Sequence, residues 1–156
     1  MPRYQIDDTD RKILSFLVRD ARMAYLEIAR ECGVSGAAIH QRIKRLEKQG
    51  IVIGSRLLVE PEALGLNICA FVQIALVEGN KMMEVKEELT KIPELVECHF
   101  VTGKYTFLIK LYCRDNEHLM NIVTEKLLKI PYIQSTETLL SLQAVIDRNI
   151  NCPDAL

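Results

Sequence analysis

No Cys-x-x-Cys pair occurs in the 156 residues, and the five cysteines, at 32, 69, 98, 113 and 152, are odd in number. Neither a disulfide framework nor a zinc ribbon is predicted, and a reducing compartment, the cytoplasm, is the simpler home. Long apolar runs are missing too. The stretch from Ile68 to Leu76 is interrupted by Gln73 and falls well short of the roughly 20 residues that span a bilayer. The opening MPRYQIDDTD holds no apolar signal core, so no membrane partner is expected. Charge of one sign is lacking: 20 Lys plus Arg against 21 Asp plus Glu leave a net charge of -1, which excludes a uniformly basic nucleic-acid coat and a polyacidic tail. No serine sits in a nucleophile-elbow pattern and no Gly-rich phosphate loop occurs, so a hydrolase or nucleotide site has no support. What is present, 49% hydrophobic and 26% charged residues, fits a globular chain of one domain or two small ones, neither disordered nor collagenous.

The charge is unevenly spread. Residues 1–60 carry 11 basic and 8 acidic side chains, whereas residues 61–156 carry 9 and 13. Periodicity changes at the same place. Ile13, Leu14, Leu17, Ile28, Ile39, Ile43 and Leu46 recur at helical spacings, and strand-like and helix-like stretches alternate after Glu60-Pro61. Three helices are predicted first. Asp7 N-caps the first, with Asp10 at its third position and Ile13, Leu14, Leu17 and Val18 as the buried stripe. Leu26, Ile28 and Ala29 pack the second, which Gly33 stops in a left-handed turn. Ser35 caps the third, which buries Ala38, Ile39, Ile43 and Leu46 before Gly50.

Two short helices meeting at a glycine turn, the second polar and basic, are the signature of a helix-turn-helix. An ordinary bundle with a solvated charged face is the competing reading. Against it, Arg42, Lys44, Arg45 and Lys48 face only Glu47 between Ser35 and Gln49, inside a slightly acidic chain, and such asymmetry favours phosphate contact.

Beyond Leu66 the pattern predicts strand, helix, strand, strand, helix, strand. The elements are Leu66–Leu76, Lys81–Lys91, Val96–Val101, Phe107–Tyr112, Glu117–Lys129 and Ile133–Ile146. Leu89-Thr-Lys-Ile-Pro93 is echoed by Leu127-Leu-Lys-Ile-Pro131, 38 residues on, each copy ending a helix and starting a strand. Two βαβ halves of this length form a ferredoxin-like sandwich with both helices on one face of a four-stranded antiparallel sheet. The other face of the first strand is apolar as well, through Cys69, Phe71 and Ala75, which predicts burial against a second copy and hence a homodimer.

The segments IDDTDRKILSFLVRDAR, EIARECGVS, AAIHQRIKRLEKQGIVIG, LLVEPEALGLN, VECHFVTGKYTFLIKL and IPYIQSTETLL, in that order, resemble the leucine-responsive and asparagine-operon regulator (Lrp/AsnC) family of transcription factors across nearly the whole chain. The resemblance implies an α+β protein with an N-terminal winged helix-turn-helix (1–52). A linker strand and turn (53–64) and a ferredoxin-like βαββαβ, ACT-like, Lrp/AsnC ligand-binding domain (65–156) would follow. It also implies double-stranded DNA as partner, a small-molecule effector such as an amino acid or related metabolite, and assembly of homodimers to an octamer or other higher oligomer.

With the third helix in a major groove, Ser35, Gly36 and Ala37 allow close approach and His40, Gln41 and Lys44 reach base edges, Gln41 with the geometry to pair with adenine. Arg42, Arg45 and Lys48 are phosphate or packing residues. By resemblance Arg42 fills a position that holds arginine regardless of operator, and Arg45 has as its alternative an ion pair with Asp7 or Asp10. The resemblance places the effector at Thr102, Gly103, Lys104, Tyr105 and Thr106, with the hydroxyls of Thr136 and Thr138 nearby, although strand propensity alone also accounts for those threonines. Many members read Gly-x-aromatic-Asp where this chain has Gly103-Lys104-Tyr105-Thr106, so a hydroxyl replaces the carboxylate that would pair with an effector's ammonium group. His40, His99 and His118 are scattered; Cys98 and His99 should point to opposite strand faces, a buried thiol and a half-exposed ring. No catalytic residue, metal or cofactor is expected. Two other readings stay open: an enzyme resembling the siroheme decarboxylases built on this plan, and a DNA-independent metabolite sensor.

Overall fold

The structure, a computed structural model, describes residues 5–150 and Cys152. It separates into two compact units, one built from the chain up to Leu57 together with the segment from Ile146 onward, the other from Leu58 to Val145.

The first unit is helical, with α1 (Asp8–Arg19), α2 (Tyr25–Cys32) and α3 (Gly36–Lys48). A reciprocal capping box starts α1: the Asp10 amide donates to Asp7 Oδ1 at 2.8 Å and the Asp7 amide to Asp10 Oδ2 at 3.4 Å. Gly33 ends α2 in the left-handed region at φ 67°, and Ser35 caps α3 by accepting from the Ala38 amide at 3.2 Å. Ile13, Ile28, Ala29, Ile39 and Ile43 form the core, with Phe16, Leu17, Met23, Cys32 and Val34 around it. Leu26, expected inside, is 67% exposed, because it lies off the Ile28–Ala29 face of a helix only two turns long. Leu14, Leu17 and Val18 are half-buried rather than fully inside.

The segment after α3 forms no ladder. Ile51 and Val52 hydrogen-bond back to the Leu46 carbonyl, and Ile53 to Glu60 then runs without strand pairing, so neither the linker strand nor a wing is present among the described residues. Extended backbone becomes a strand only when a neighbour takes up its alternating amides and carbonyls, and this stretch makes no such bonds among the described residues. The tail makes contacts with α1. Asn149 Nδ2 donates to the Val18 carbonyl at 3.1 Å, and Cys152 Sγ lies 3.5 Å from the Arg11 carbonyl. Val18 belongs to the last turn of α1, where helix carbonyls lack intrahelical donors, so the asparagine amide satisfies one of them.

The second unit contains β1 (Ile68–Leu76), α4 (Met82–Leu89), β2 (Leu95–Phe100), β3 (Phe107–Cys113), α5 (Asn116–Asn121) and β4 (Ile133–Ser141). From Ile122 to Leu127 the last helix widens into π-helical turns, with the Leu128 amide donating to the Val123 carbonyl at 2.9 Å. The sheet is antiparallel in the order β2-β3-β1-β4, the ferredoxin-like arrangement. Alternation sends Ala70, Val72, Ile74, Phe107, Ile109 and Leu111 to the helix-covered face, where Val85, Leu89, Leu119, Ile122 and Leu127 meet them. The strand β4 ends at Ser141, five residues short of expectation, since its partner β1 begins at Ile68 and pairs only from Cys69 onward.

The 38-residue echo is structural. Ile92 donates to the Leu89 carbonyl and Leu95 to Ile92; Ile130 likewise donates to Leu127 and Ile133 to Ile130. The residue after each Ile-Pro then receives a cation from the opposite half. Glu94 accepts from Lys126 Nζ at 2.7 Å and pairs with His118 at 3.2 Å, while Tyr132 lies under Lys81 Nζ, 5.1 Å from its ring centre. Burial alone would raise the Glu94 carboxyl, but the bonds from Lys126 and His118 hold it below its usual range. Among the described residues no helix is long and apolar enough to cross a membrane.

Leu89 and Leu127, 1% and 0% exposed, occupy equivalent positions of the two halves. Truncating either to alanine is expected to cost about 2 to 5 kcal/mol in urea unfolding, the range for a large buried aliphatic residue. A loss below about 1 kcal/mol at one of them would show that the halves do not share their core evenly.

Candidate nucleic-acid interface and effector region

The helix α3 buries Ile39, Ile43 and Leu46 and leaves Ala37, His40, Gln41, Lys44, Arg45 and Lys48 exposed. The capped start, the left-handed Gly33 and the small Ala29, 4% exposed at the crossing, hold this face outward. Gly36 packs beside Leu26: a Cβ there would come within 3.1 Å of Leu26 Cδ2, the end of an exposed side chain that can yield by a few tenths of an ångström. Ser35 serves as the cap, and Ala38 is half-buried rather than inside. The ring of Tyr25, at the start of α2, lies 6.0 Å from that of His40 at 44°.

Arg42 is a packing residue. One guanidinium nitrogen donates to Asp7 Oδ2 at 2.6 Å and to Asp10 Oδ1 at 2.8 Å, joining the middle of α3 to the capping box of α1. The Asp10 side chain is fully buried, so its carboxylate needs this cation. Hydrogen bonds to Asp7 and then Asp10 raise the Arg42 pKa, and the same bond, with the Asp10 amide, holds Asp7 below its usual range. Arg45 reaches Asp10 Oδ2 at 3.6 Å while its side chain remains 46% exposed, the ion-pair alternative foreseen for it. Ala38, Gln41, Arg42 and Arg45 line an open recess of about 410 Å³ on this surface. Lys44 and Lys48 project from α3 as exposed cations.

The second expected site centres on the turn between β2 and β3. Gly103 has φ 117°, a conformation that side chains disfavour, and the Thr106 amide donates to the Ile74 carbonyl at 2.8 Å. Thr136 and Thr138 pair with Ile74 and Val72, so they share the helix-side face of β4. Tyr105 instead hydrogen-bonds Glu137, which pairs with Gln73 on the open face, and Lys104 Nζ sits 5.0 Å from the Tyr105 ring centre. Thr106 and Thr136 thus flank one residue of β1 through the backbone, but the Thr136 and Thr138 side chains and the Tyr105 phenol lie on opposite sides of the sheet. Glu137 escaped the sequence reading. Alternation along IQSTETLL could have set it apart from Thr136 and Thr138, yet its pairing with Tyr105 depends on a register no local pattern contains.

The histidines remain apart. His99 faces Glu97 at 3.4 Å and His118 faces Glu94 at 3.2 Å, and no group of three His, Cys, Asp or Glu side chains suited to a metal occurs among the described residues. Cys98 pairs with buried Ile109 and His99 with Leu108, opposite faces as predicted. The thiol, expected to be buried, is exposed because β2 is an edge strand.

Comparison with known proteins matches residues 6–47 to the AsnC-type helix-turn-helix domain and residues 69–150 to the Lrp/AsnC ligand binding domain. The regulatory protein AsnC of Escherichia coli is 38% identical over 150 residues, covering 96% of this chain and 99% of that protein. Its solved structure superposes with a TM-score of 0.89 over 95% of this chain and 99% of that one. The HTH-type transcriptional regulator FL11 of Pyrococcus furiosus is 36% identical over 138 residues, 88% of this chain and 90% of that protein. The feast or famine regulatory protein of M. tuberculosis, solved in complex with L-methionine, is 25% identical with a TM-score of 0.89, covering 96% and 100%.

Arg42→Ala should destabilise the helical unit by about 3 kcal/mol, the low end for breaking a buried pair because Arg45 stays within reach of Asp10. Thermal unfolding across pH tests the sign for Asp7. Its native pKa lies below the ordinary value of 3.8, so its contribution is complete above that value and is lost as pH falls through the native one. Stability between pH 5 and about 2 should therefore fall less steeply in Asp7→Asn than in the parent.

Proposed function

The chain belongs to the Lrp/AsnC family of transcriptional regulators, and from that premise we propose that it binds double-stranded DNA sequence-specifically through α3 and answers to a small-molecule effector through the β-sheet unit. The observation that carries the DNA reading is the division of labour on α3. Ile39, Ile43 and Leu46 are spent on the core and Arg42 on Asp7 and Asp10, which leaves His40, Gln41, Lys44 and Lys48 exposed, with Arg45 beside Gln41 at the recess and half-exposed while paired with Asp10. Gln41 reads a base, His40 and Lys44 reach base edges, and Arg45 and Lys48 neutralise phosphate, with Ser35, Gly36 and Ala37 forming the close-approaching start of the helix.

The effector is a small polar metabolite, an amino acid or a relative of one, held near Thr102 to Thr106 with Thr136 and Thr138 completing the site. Support comes from the positive φ of Gly103, which admits a ligand close to backbone, and from the L-methionine bound by the M. tuberculosis relative. The open sheet face, carrying Phe71, Leu108, Tyr112 and Leu139, supports a homodimer formed by two such faces and, with further contacts, an octamer or other larger assembly. Domain limits of 1–52 for the helix-turn-helix, 53–64 for the linker and 65–156 for the effector-binding unit belong to the same reading. A cytoplasmic site of action follows from a role on DNA. The decarboxylase reading lacks a cluster of histidines among the described residues and the bare-sensor reading leaves the basic helix without a task, so neither is favoured.

Truncating Lys44 or Lys48 to alanine should weaken binding to every duplex and reduce the salt slope by about one counterion each, whereas Gln41→Ala should lose about 1 to 3 kcal/mol of preference at one base pair. Anisotropy titrations at several salt concentrations separate the two behaviours. Sedimentation should show a dimer or larger species at micromolar concentration, and a stable monomer would remove the paired-sheet reading. In calorimetry, Thr106→Asp should strengthen binding of an α-amino acid through its ammonium group. Gly103→Val, strained at φ 117°, should abolish the response; an effector binding that variant with unaltered affinity would place the pocket elsewhere.

A further inference from the structure

His99 and His118 each face a carboxylate, but the ring contact of His40 is with Tyr25, 6.0 Å between centroids at 44°, within the range of favourable tilted aromatic pairs. The contact lies outside the core of the helical unit. Tyr25 is 40% exposed, Leu26 beside it is 67% exposed, and neither belongs to the buried cluster around Ile28 and Ile39. The two residues lie beside the first half of α3: Leu26 Cδ2 is 3.1 Å from where a Cβ on Gly36 would stand, and the Tyr25 ring adjoins that of His40 one turn further on. The start of α2 makes no side-chain cap of its own, Ala24 being the N-cap residue, so what this end of the helix contributes is the pair of side chains.

We propose that Tyr25 is a positioning residue for sequence readout, holding the His40 imidazole in one orientation so that its ring N–H is presented to a purine acceptor in the major groove. The proposal rests on the DNA-binding reading above and assigns a task to a residue on α2, outside the recognition helix. The physical reason is rotamer freedom. An unsupported histidine on an exposed helix face samples several orientations and loses that freedom on binding, which costs discrimination of roughly 2- to 12-fold for one side chain. A neutral imidazole donates through one nitrogen and accepts through the other, so a rotated ring presents the wrong partner to N7 or O6 of guanine. Contact with the Tyr25 ring restricts the position and plane of the imidazole before DNA arrives, which reduces the first of these penalties.

The test uses the full chain and a duplex selected by it from a random pool, with anisotropy titrations against every single-base variant of that duplex. Tyr25→Leu should lose roughly 3- to 10-fold of discrimination at the one base pair where His40→Ala also loses it, while affinity for scrambled duplex and the salt slope stay as in the parent. Tyr25→Phe should keep the preference, because the ring and not the hydroxyl does the positioning. The double variant Tyr25→Leu/His40→Ala should be no worse than His40→Ala alone. Tyr25→Gln, a second exposed replacement with good helix propensity, should repeat the result if the leucine variant melts early. Equal weakening on every duplex, a loss in Tyr25→Phe as large as in Tyr25→Leu, or additive losses in the double variant would each overturn the positioning role. A parent chain that selects no sequence at all would instead overturn the DNA reading, an outcome distinct from a parent that selects DNA but ignores Tyr25.

Discussion

A fully buried carboxylate must find a cation, and in the helical unit that requirement is met by Asp10 and Arg42. The same carboxylate closes the capping box that starts α1, and the same guanidinium anchors the centre of α3. One charge-assisted contact therefore ties the beginning of the domain to its recognition helix and turns Arg42 inward. The outward residues of α3 inherit their directions from this anchor, since Arg42 and the buried Ile39, Ile43 and Leu46 set which side of the helix turns inward.

In the sheet unit, geometry of another kind governs. Helices cover only one face, through Val85, Leu89, Leu119, Ile122 and Leu127, and the clamps at Glu94 and Tyr132 lock the two βαβ halves across each other. The opposite face mixes apolar residues with polar ones such as Gln73, Lys110 and Glu137, so a partner sheet there must satisfy charges as well as bury carbon. Lys110 already lies 3.5 Å from Glu97 and over the rings of Phe71 and Tyr112, a prepaired cation within a surface of this type.

Much of this was legible in the residues. Capping by Asp7 and Ser35 and the stop at Gly33 depend on positions within one turn, and the βαββαβ order follows from periodicity. The Leu-x-Lys-Ile-Pro echo carries the same hydrogen bonds twice. The misjudged details share one cause, which is dependence on a distant neighbour. Leu26 lost its place in the core to helix orientation, Cys98 became exposed through strand order, and the stretch after Val52 found no strand to pair with.

The sequence alone thus determined the elements, their order, the basic bias of α3 and the family, because each is written in short-range spacing or in composition. Tertiary structure decided how closely each charge is engaged within the helical unit. Arg42 and Arg45 are indistinguishable in a count of basic residues, yet one is joined to Asp7 and Asp10 at 2.6 and 2.8 Å and the other reaches Asp10 only at 3.6 Å. It also decided that Glu137 meets Tyr105 on one side of the sheet while Thr136 and Thr138 turn to the other, and that Tyr25 meets His40. Contacts between residues fifteen to thirty-five positions apart depend on helix crossings and strand register, and those are set by burial of the whole core rather than by any local run of residues.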